Sequence, residues 1–238
     1  FETVITARSG WFDINLRELW RYRDLALLFV RRNFIANYKQ TILGPAWAIV
    51  QPLLTTVVFT IVFGRLAKLP TDGVPPFLFY MCGNIAWGYF AGCLTATSST
   101  FTGNAAIFGK VYFPRLTMPI STVISQLISF AIQFLFFLGF LAFYSFLNKT
   151  VYLTPLIWLL PFFLLQMALL GLGCGIIVSS LTTKYRDLNM LVSFGTQLWM
   201  YATPVVYPAA MVPEKWQTMY RLNPMVAIIE GFRDMFFS

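Results

Sequence analysis

Long apolar stretches, separated by short polar segments, dominate this chain from residue 46 onward. Four of them, residues 46–64, 77–95, 118–147 and 153–181, contain no charged side chain, and a fifth, residues 191–207, is shorter. A helix needs about 20 mostly apolar residues to cross the roughly 30 Å hydrocarbon core of a bilayer. The pattern therefore predicts an all-α polytopic membrane helix bundle with five spans, of which the fifth is marginal.

The segment before the first apolar stretch has a different pattern. Within residues 12–41, apolar residues alternate with arginines at the spacing of a helix. A basic helix with aromatic residues on its other face is typical of segments that lie along a membrane surface. We interpret residues 12–41 as an amphipathic interface helix on the cytoplasmic side, which either anchors the chain only or also binds a cytoplasmic partner.

The segment after the spans, residues 208–238, alternates prolines, aromatic residues and short amphipathic pieces. It predicts two short helices, residues 211–222 and 224–237, that lie at or dip into the outer surface. A chain that starts inside and crosses five times ends outside, so a sixth span is expected to be missing from this sequence. Residues 1–238 are treated as a single transmembrane domain whose spans one to five occupy residues 46–207.

Composition supports the membrane assignment and excludes several kinds of chemistry. The chain is 58% hydrophobic, 18% aromatic and only 11% charged, with a mean hydropathy of +0.69. It contains no histidine, and no aspartate or glutamate lies within an apolar stretch. Ion-coupled transporters usually need such a group inside the membrane, so another chain is expected to supply the energy. No catalytic or metal-binding residues are predicted, which counts against a membrane acyl- or glycosyltransferase.

The net charge of +8 is unevenly distributed. Most basic residues precede the first span or lie in the connections after spans two and four. Positive charge favours the cytoplasmic face, so the N-terminus is predicted to be cytoplasmic. Anionic headgroups account for the basic excess, and no nucleic-acid partner is predicted. Arg31, Arg32 and Lys39 either assist uptake of an anionic lipid carrier or only control topology.

The connection after span two, residues 101–119, contains a possible short helix bounded by proline. On the cytoplasmic side such a helix would form a rigid knob for a partner protein, with Phe108 as a protruding aromatic anchor. The alternative is an ordinary interfacial turn. The candidate coupling residues are Asn104, Ala105, Ile107, Phe108, Gly109 and Lys110.

Polar residues at helical spacing mark two of the spans. In span three, one face carries Thr122, Gln126, Ser129 and Gln133, and an adjacent stripe carries Phe130, Phe134, Phe137 and Tyr144. In span five, one face carries Ser193, Gln197 and Tyr201. These residues either hold neighbouring helices together or line a wet conduit. In span four, Gly171, Gly175 and Ser179 predict a close helix contact.

Several short strings give the chain a family resemblance along its whole length. They are Tyr22-Arg23-Asp24-Leu25, Arg31-Arg32, Tyr38-Lys39-Gln40-Thr41-Ile42-Leu43-Gly44-Pro45-Ala46-Trp47, Gln51-Pro52-Leu53, Val111-Tyr112-Phe113-Pro114-Arg115, Tyr185-Arg186-Asp187-Leu188, Thr203-Pro204-Val205-Val206-Tyr207-Pro208 and Leu222-Asn223-Pro224-Met225. In this order they resemble the ABC type-2 permease subunits that export O-antigen, capsule and teichoic-acid polysaccharides.

The resemblance implies a channel-forming subunit in the bacterial plasma (inner) membrane that moves a lipid-linked polysaccharide out of the cell. It implies a homodimer of six-span subunits, with ATP and Mg bound by separate nucleotide-binding subunits and no cofactor in this chain. It further implies that residues 104–110 are the coupling element, 12–41 the interface helix and 208–237 the outer gate helices. The alternative is an ABC type-2 exporter of drugs or small lipids.

Overall fold

A computed structural model describes residues 16–39, 41–148, 155–185 and 187–237. Within these ranges the chain is helical and contains no strand, which confirms the predicted all-α helix bundle. The start of the predicted interface helix, residues 12–15, lies outside the described residues.

The described ranges contain eleven α-helices joined by short connections. The helices are α1 (Leu16–Arg21), α2 (Arg23–Tyr38), α3 (Trp47–Phe59), α4 (Pro76–Ser98), α5 (Thr100–Gly103), α6 (Ala105–Phe108), α7 (Thr117–Asn148), α8 (Leu160–Thr182), α9 (Leu188–Tyr201), α10 (Glu214–Arg221) and α11 (Pro224–Phe237). A 3-10 turn, Gly44–Ala46, leads into α3, and a π-helical segment, Thr60–Leu66, extends it.

The first four predicted spans are confirmed as helices that are long and apolar enough to cross a membrane. In the described residues they are Gly44–Leu66, Pro76–Ser98, Thr117–Leu147 and Leu156–Thr182. The most apolar part of the second span is 72% buried, against 17–22% for the others. Helix α4 is therefore the centre of the bundle, and it packs against α3, α7 and α8.

Helix α8 makes a close contact with α4 through the small-residue face that the sequence predicted. Gly171, Gly175 and Ser179 are all buried. A Cβ atom at Gly171 would stand 2.6 Å from Cys93 Cβ, and one at Gly175 would stand 2.5 Å from Thr97 Cβ. Only glycine lets the two helices approach this closely.

The prediction of a fifth span over residues 191–207 is wrong, because the helix found there is too short to cross the membrane. This stretch forms α9, whose 14 residues extend over about 21 Å, and no candidate span is found there in the described residues. The ring of Trp199 contacts Trp87 and Phe90, midway along α4. Helix α9 therefore ends at about half the depth of the bundle, where Pro204 follows in an irregular segment.

The two predicted C-terminal helices exist as α10 and α11, and of the two expected positions, at the surface or dipping into it, α11 has the deeper one. Its apolar residues are among the most deeply buried of the molecule, between α4, α7 and α8. The buried side chains include Met225, Ile229, Phe232, Met235 and Phe236. The aromatic side chains of α11 are buried because they pack against the phenylalanine stripe of α7.

A buried arginine connects α11 to the segment after α9. Arg233 is only 7% exposed, and its Nη2 donates hydrogen bonds to the carbonyls of Pro204, at 2.8 Å, and Val205. Its guanidinium lies 3.6 Å from the ring centroid of Phe79 in α4. One side chain thus joins three separate parts of the chain, and the aromatic face compensates part of the cost of desolvating its charge.

Arg233→Ala is expected to destabilise the solubilised protein by about 1.5–3 kcal/mol, because it removes charged hydrogen bonds and leaves two carbonyls without their donor. The control is Arg221→Ala, which removes the same charge from an exposed position on α10. Thermal unfolding in detergent, followed by tryptophan fluorescence, measures both. Equal transition temperatures for the two variants would contradict this role of Arg233.

Candidate functional site

One end of the bundle gathers the basic N-terminal helices and the short helices of the connection after α4. We call it the α2 end. Helix α2 packs along the first turns of α7, and the Tyr38 hydroxyl lies 3.3 Å from Ser129 Oγ. The predicted interface helix thus consists of α1 and α2 in the described residues, and α2 contacts the membrane-spanning bundle directly.

A separate apolar cluster holds α2, α6 and the start of α7 together. We call it the Phe29 cluster; its buried members are Phe29, Phe113 and Met118, and its half-buried members are Tyr22, Leu25, Ile107 and Phe108. The Phe29 and Phe113 ring centroids are 5.7 Å apart. Phe108 stacks on Phe113 at 5.3 Å and meets Phe101 edge-on at 5.8 Å.

The short helix predicted between residues 105 and 110 is a single turn, α6, and Phe108 does not protrude from it. The Phe108 ring points into the Phe29 cluster, which corrects its expected role as an anchor for a partner. The exposed residues of this turn are Ala105, Ala106, Gly109 and Lys110, while Ile107 is half-buried. Any partner therefore meets small side chains and one cation here.

A polar contact reinforces the apolar one. Arg32 Nη2 donates a hydrogen bond of 2.9 Å to Asn104 Oδ1, and Asn104 Nδ2 donates one of 2.9 Å to the Thr100 carbonyl. The Arg32 guanidinium also lies 5.0 Å from the Phe29 ring centroid. Helix α2 and the connection after α4 are thereby linked through a charge-assisted hydrogen bond, the stronger kind.

The three cations that the sequence singled out are not equivalent in the structure. Arg32 is half-buried and bonded to Asn104, whereas Arg31 and Lys39 are exposed. Arg31 and Lys39 are open to solvent or lipid headgroups, while Arg32 is bonded to the connection after α4.

The polar stripe of α7 borders a cavity of about 440 Å³ between α2, α3, α4 and α7. Gln126, Ser129 and Gln133 line it. Thr122 lies nearer the α2 end, where its hydroxyl donates to the Met118 carbonyl and lies 3.5 Å from Thr100 Oγ1. We call this the amide cavity, since Asn37 of α2, Gln51 of α3 and Asn84 of α4 add further amides to its lining.

The polar face predicted for span five does not meet this stripe within one chain. Ser193, Gln197 and Tyr201 lie on the exposed side of α9, and α9 packs against α4 and α8. Within one chain, the polar face of α9 and the polar stripe of α7 therefore do not line a common path.

The phenylalanine stripe of α7 lies against α11. Phe134 contacts Phe232 and Phe236 at centroid distances of 6.2 and 5.9 Å. Phe130 and Phe137 are buried, whereas Tyr144 is half-buried near the far end of α7. Within one chain these rings form a packed core, in line with the packing alternative for this stripe.

Sequence reasoning missed Gln51 and Asn84 as cavity residues and Arg233 as a buried link. The available signal was their position: Gln51 and Asn84 are amides inside apolar stretches, where a polar side chain needs a partner or water. Asn84 Nδ2 donates to the Pro52 carbonyl at 3.2 Å, which joins α4 to α3 beside the cavity.

Comparison with known proteins extends this picture. Residues 25–237 match the family described as ABC-2 type transporter. Two proteins of Klebsiella pneumoniae, both named O-antigen export system permease protein RfbA, are 28% and 29% identical to the chain over 90% of its length and 81% of theirs. A Myxococcus xanthus protein of the same name is 28% identical over 94% of the chain and 84% of its own length.

The family match covers the interface helix α2, the four spans and the segment from α9 to α11. It therefore includes the amide cavity and, apart from Tyr22, the Phe29 cluster. Because the match extends over most of the chain and the fold is a helical membrane bundle, the chain belongs to the ABC-2 type transporter family.

Proposed function

We propose that this chain is the membrane-spanning, channel-forming subunit of an ATP-driven exporter of lipid-linked polysaccharide. The observation that carries the proposal is the similarity to O-antigen export permeases over 90% or more of the chain. Export of drugs or small lipids by the same fold is less favoured, because the relatives reported above are all named for O-antigen export.

A separate nucleotide-binding subunit supplies the energy in this proposal, and it binds ATP and Mg. It docks on the exposed residues of the α6 turn and on Val111 and Tyr112 beside it, which are 59% and 57% exposed. Movement of α6 would be passed to α2 through the Arg32–Asn104 bond and to α7 through Phe113. The support for this route is the continuous contact from α6 to two helices.

The α2 end is placed on the cytoplasmic side of the plasma membrane, which puts the N-terminus inside. The support is charge: Arg31, Arg32, Lys110, Arg115 and Lys184 all belong to segments at this end. Cytoplasmic loops carry an excess of lysine and arginine. Cargo then approaches from this side.

The functional unit is proposed to be a homodimer, in which the second copy completes the transport path. The support is the exposed polar face of α9, formed by Ser193, Gln197 and Tyr201. Polar side chains in membrane helices face a partner or water rather than lipid. A second copy against α9 would satisfy this requirement.

Alanine variants of two adjacent arginines distinguish a coupling role from a general effect of charge. Arg32→Ala is expected to lower ATP-dependent export about tenfold or more, because it removes the charged hydrogen bond to Asn104, worth about 1.5–3 kcal/mol. Arg31→Ala removes the same charge from an exposed position and should change export much less. Export and membrane topology are measured together for both variants.

The outcome distinguishes three roles for these cations. Equal loss of export with unchanged topology would contradict the coupling role of Arg32 and favour uptake of an anionic carrier by both arginines. Inverted or failed insertion would show that they only set topology.

The direct test of the proposed function is co-purification of the chain with its ATPase from the native membrane. Mass spectrometry should identify a glycan attached to a polyprenyl carrier in the purified complex. Recovery of the ATPase with a drug-like molecule or a small lipid, and no glycan carrier, would overturn the proposal.

A further inference from the structure

The amide cavity contains hydrogen-bonding groups that the chain itself does not use. In the described residues, the side-chain amides of Gln51, Gln126 and Gln133 form no hydrogen bond. Asn84 uses only its Nδ2, which leaves its Oδ1 free. Gln51 is exposed, and Asn84, Gln126 and Gln133 are half-buried. These amides are therefore accessible from the cavity and can bond to water or to a polar ligand.

The cavity has the size and mixture of groups of a small-molecule site. Its volume of about 440 Å³ lies within the range of roughly 300–1,000 Å³ that such sites occupy. The rings of Tyr38 and Trp47 stand beside the amides, and Trp47 is 46% exposed. The cavity therefore offers apolar faces together with convergent polar groups.

The charge of the lining restricts the ligand further. Among the described residues that border the cavity, none carries a charge at neutral pH. A phosphate or pyrophosphate would lack the cationic partners that normally bind it. An amide both donates and accepts hydrogen bonds, which suits a hydroxyl group, and the aromatic rings suit the C–H faces of a sugar.

The backbone keeps this space open. Gly88 of α4 borders the cavity, and a Cβ built there would meet no described residue outside its own helix turn except Gln133, whose Oε1 lies 4.0 Å away. At Gly92 a Cβ would stand 2.8 Å from Gln126 Oε1. Glycine at position 92 therefore gives the Gln126 amide room beside α4.

We propose that the amide cavity binds a neutral saccharide segment of the cargo, with Gln126, Gln133, Gln51 and Asn84 bonded to its hydroxyls and Trp47 against a sugar face. This inference rests on the proposed export function and assigns a sugar-binding site to each subunit. The ligand is the glycan itself; the pyrophosphate of the carrier binds elsewhere.

The test uses the full chain in nanodiscs with its ATPase and without ATP. In a chain whose Cys82, Cys93 and Cys174 are replaced by alanine, a cysteine at position 126, 133 or 51 reports access of a hydrophilic maleimide. The control is Leu135→Cys on α7, 69% exposed in the chain and outside the cavity lining. The probes are polyprenyl pyrophosphate with a neutral mannose oligosaccharide and the same lipid without sugar.

We expect labelling at all three cavity positions and little at position 135. The sugar-bearing lipid should slow cavity labelling about tenfold at a concentration ten times its Kd, and the bare carrier should not. Cavity positions that stay unlabelled would make this a dry packing surface and overturn the inference. Labelling without protection, or with equal protection by the bare carrier, would also overturn it.

The two proposals fail in different ways. ATP-dependent movement of the sugar-bearing lipid by the wild-type chain is measured in parallel. Normal transport with an unprotected cavity would contradict only the proposed sugar-binding site. Absence of transport by the wild-type complex would contradict the proposed export function. If the Gln126→Cys variant does not fold, positions 133 and 51 carry the test.

Discussion

Replacing Gly175 by leucine should leave almost no folded protein. A Cβ at this position would lie 2.5 Å from Thr97 Cβ and 3.1 Å from the Leu94 carbonyl oxygen. The carbonyl belongs to the backbone of α4 and cannot turn aside, so α8 would have to separate from the central helix. Even Gly175→Ala should cost about 1–3 kcal/mol, the usual range for overpacking a close contact.

Gly173 provides the matched control, since it lies in the same helix and a Cβ there meets nothing within 4 Å. Gly173→Ala should fold as well as the wild type or slightly better, because alanine favours a helix by up to about 1 kcal/mol over glycine. Size-exclusion yield and thermal unfolding in detergent measure both variants. Equal behaviour of Gly173→Ala and Gly175→Ala would contradict the close contact of α4 with α8.

Phe108→Ala should uncouple ATP hydrolysis from export. The ring stacks on Phe113 and packs in the Phe29 cluster, so its loss releases the α6 turn from α2 and α7. Truncating a buried aromatic side chain costs about 3–5 kcal/mol; Phe108 is half-buried, so about half of that is expected. Export should fall at least about tenfold while basal ATP hydrolysis persists, as measured in proteoliposomes with the ATPase.

The control for this variant is Phe146→Ala, the same change at a ring that is 90% exposed near the far end of α7. It should leave export within about twofold of the wild type, since an exposed ring contributes little to packing. Full export and normal ATPase stimulation in Phe108→Ala would contradict the coupling role of the α6 turn.

The spans were predictable because their signal is local. Each of the four is a continuous apolar stretch, and the small-residue spacing of Gly171 and Gly175 already indicated a close contact. The fifth span was overestimated because apolar residues continue past Thr203-Pro204, although proline cannot remain hydrogen-bonded in a regular helix there. Hydropathy alone could not show that the helix stops halfway.

The position of α11 could not be predicted from its composition. The helix carries three charged residues, Glu230, Arg233 and Asp234, and Arg233 is nevertheless buried against Phe79 and the Pro204 carbonyl. The carbonyl that accepts from Arg233 lies 29 residues earlier in the chain, and the ring of Phe79 belongs to another helix. Burial of a charge depends on such distant partners, which a single sequence does not reveal.

The candidate sites could be predicted only in part, for the same reason. Spacing placed Gln126, Ser129 and Gln133 on one face of α7, but the residues opposite them come from three other helices. Likewise, the role of Arg32 depends on Asn104, 72 residues further along the chain. The sequence shows which side chains share a face, and only the tertiary structure shows what that face meets.

The central claim, ATP-driven export of a lipid-linked polysaccharide by this subunit, is tested most directly in proteoliposomes. The purified chain and its ATPase are reconstituted with a fluorescent glycan on a polyprenyl carrier, and an impermeant glycosidase reports glycan on the opposite face. We predict cleavage that requires both ATP and this chain. Movement at the same rate without ATP, or ATP-driven movement of small lipids but not of the glycan carrier, would contradict the claim.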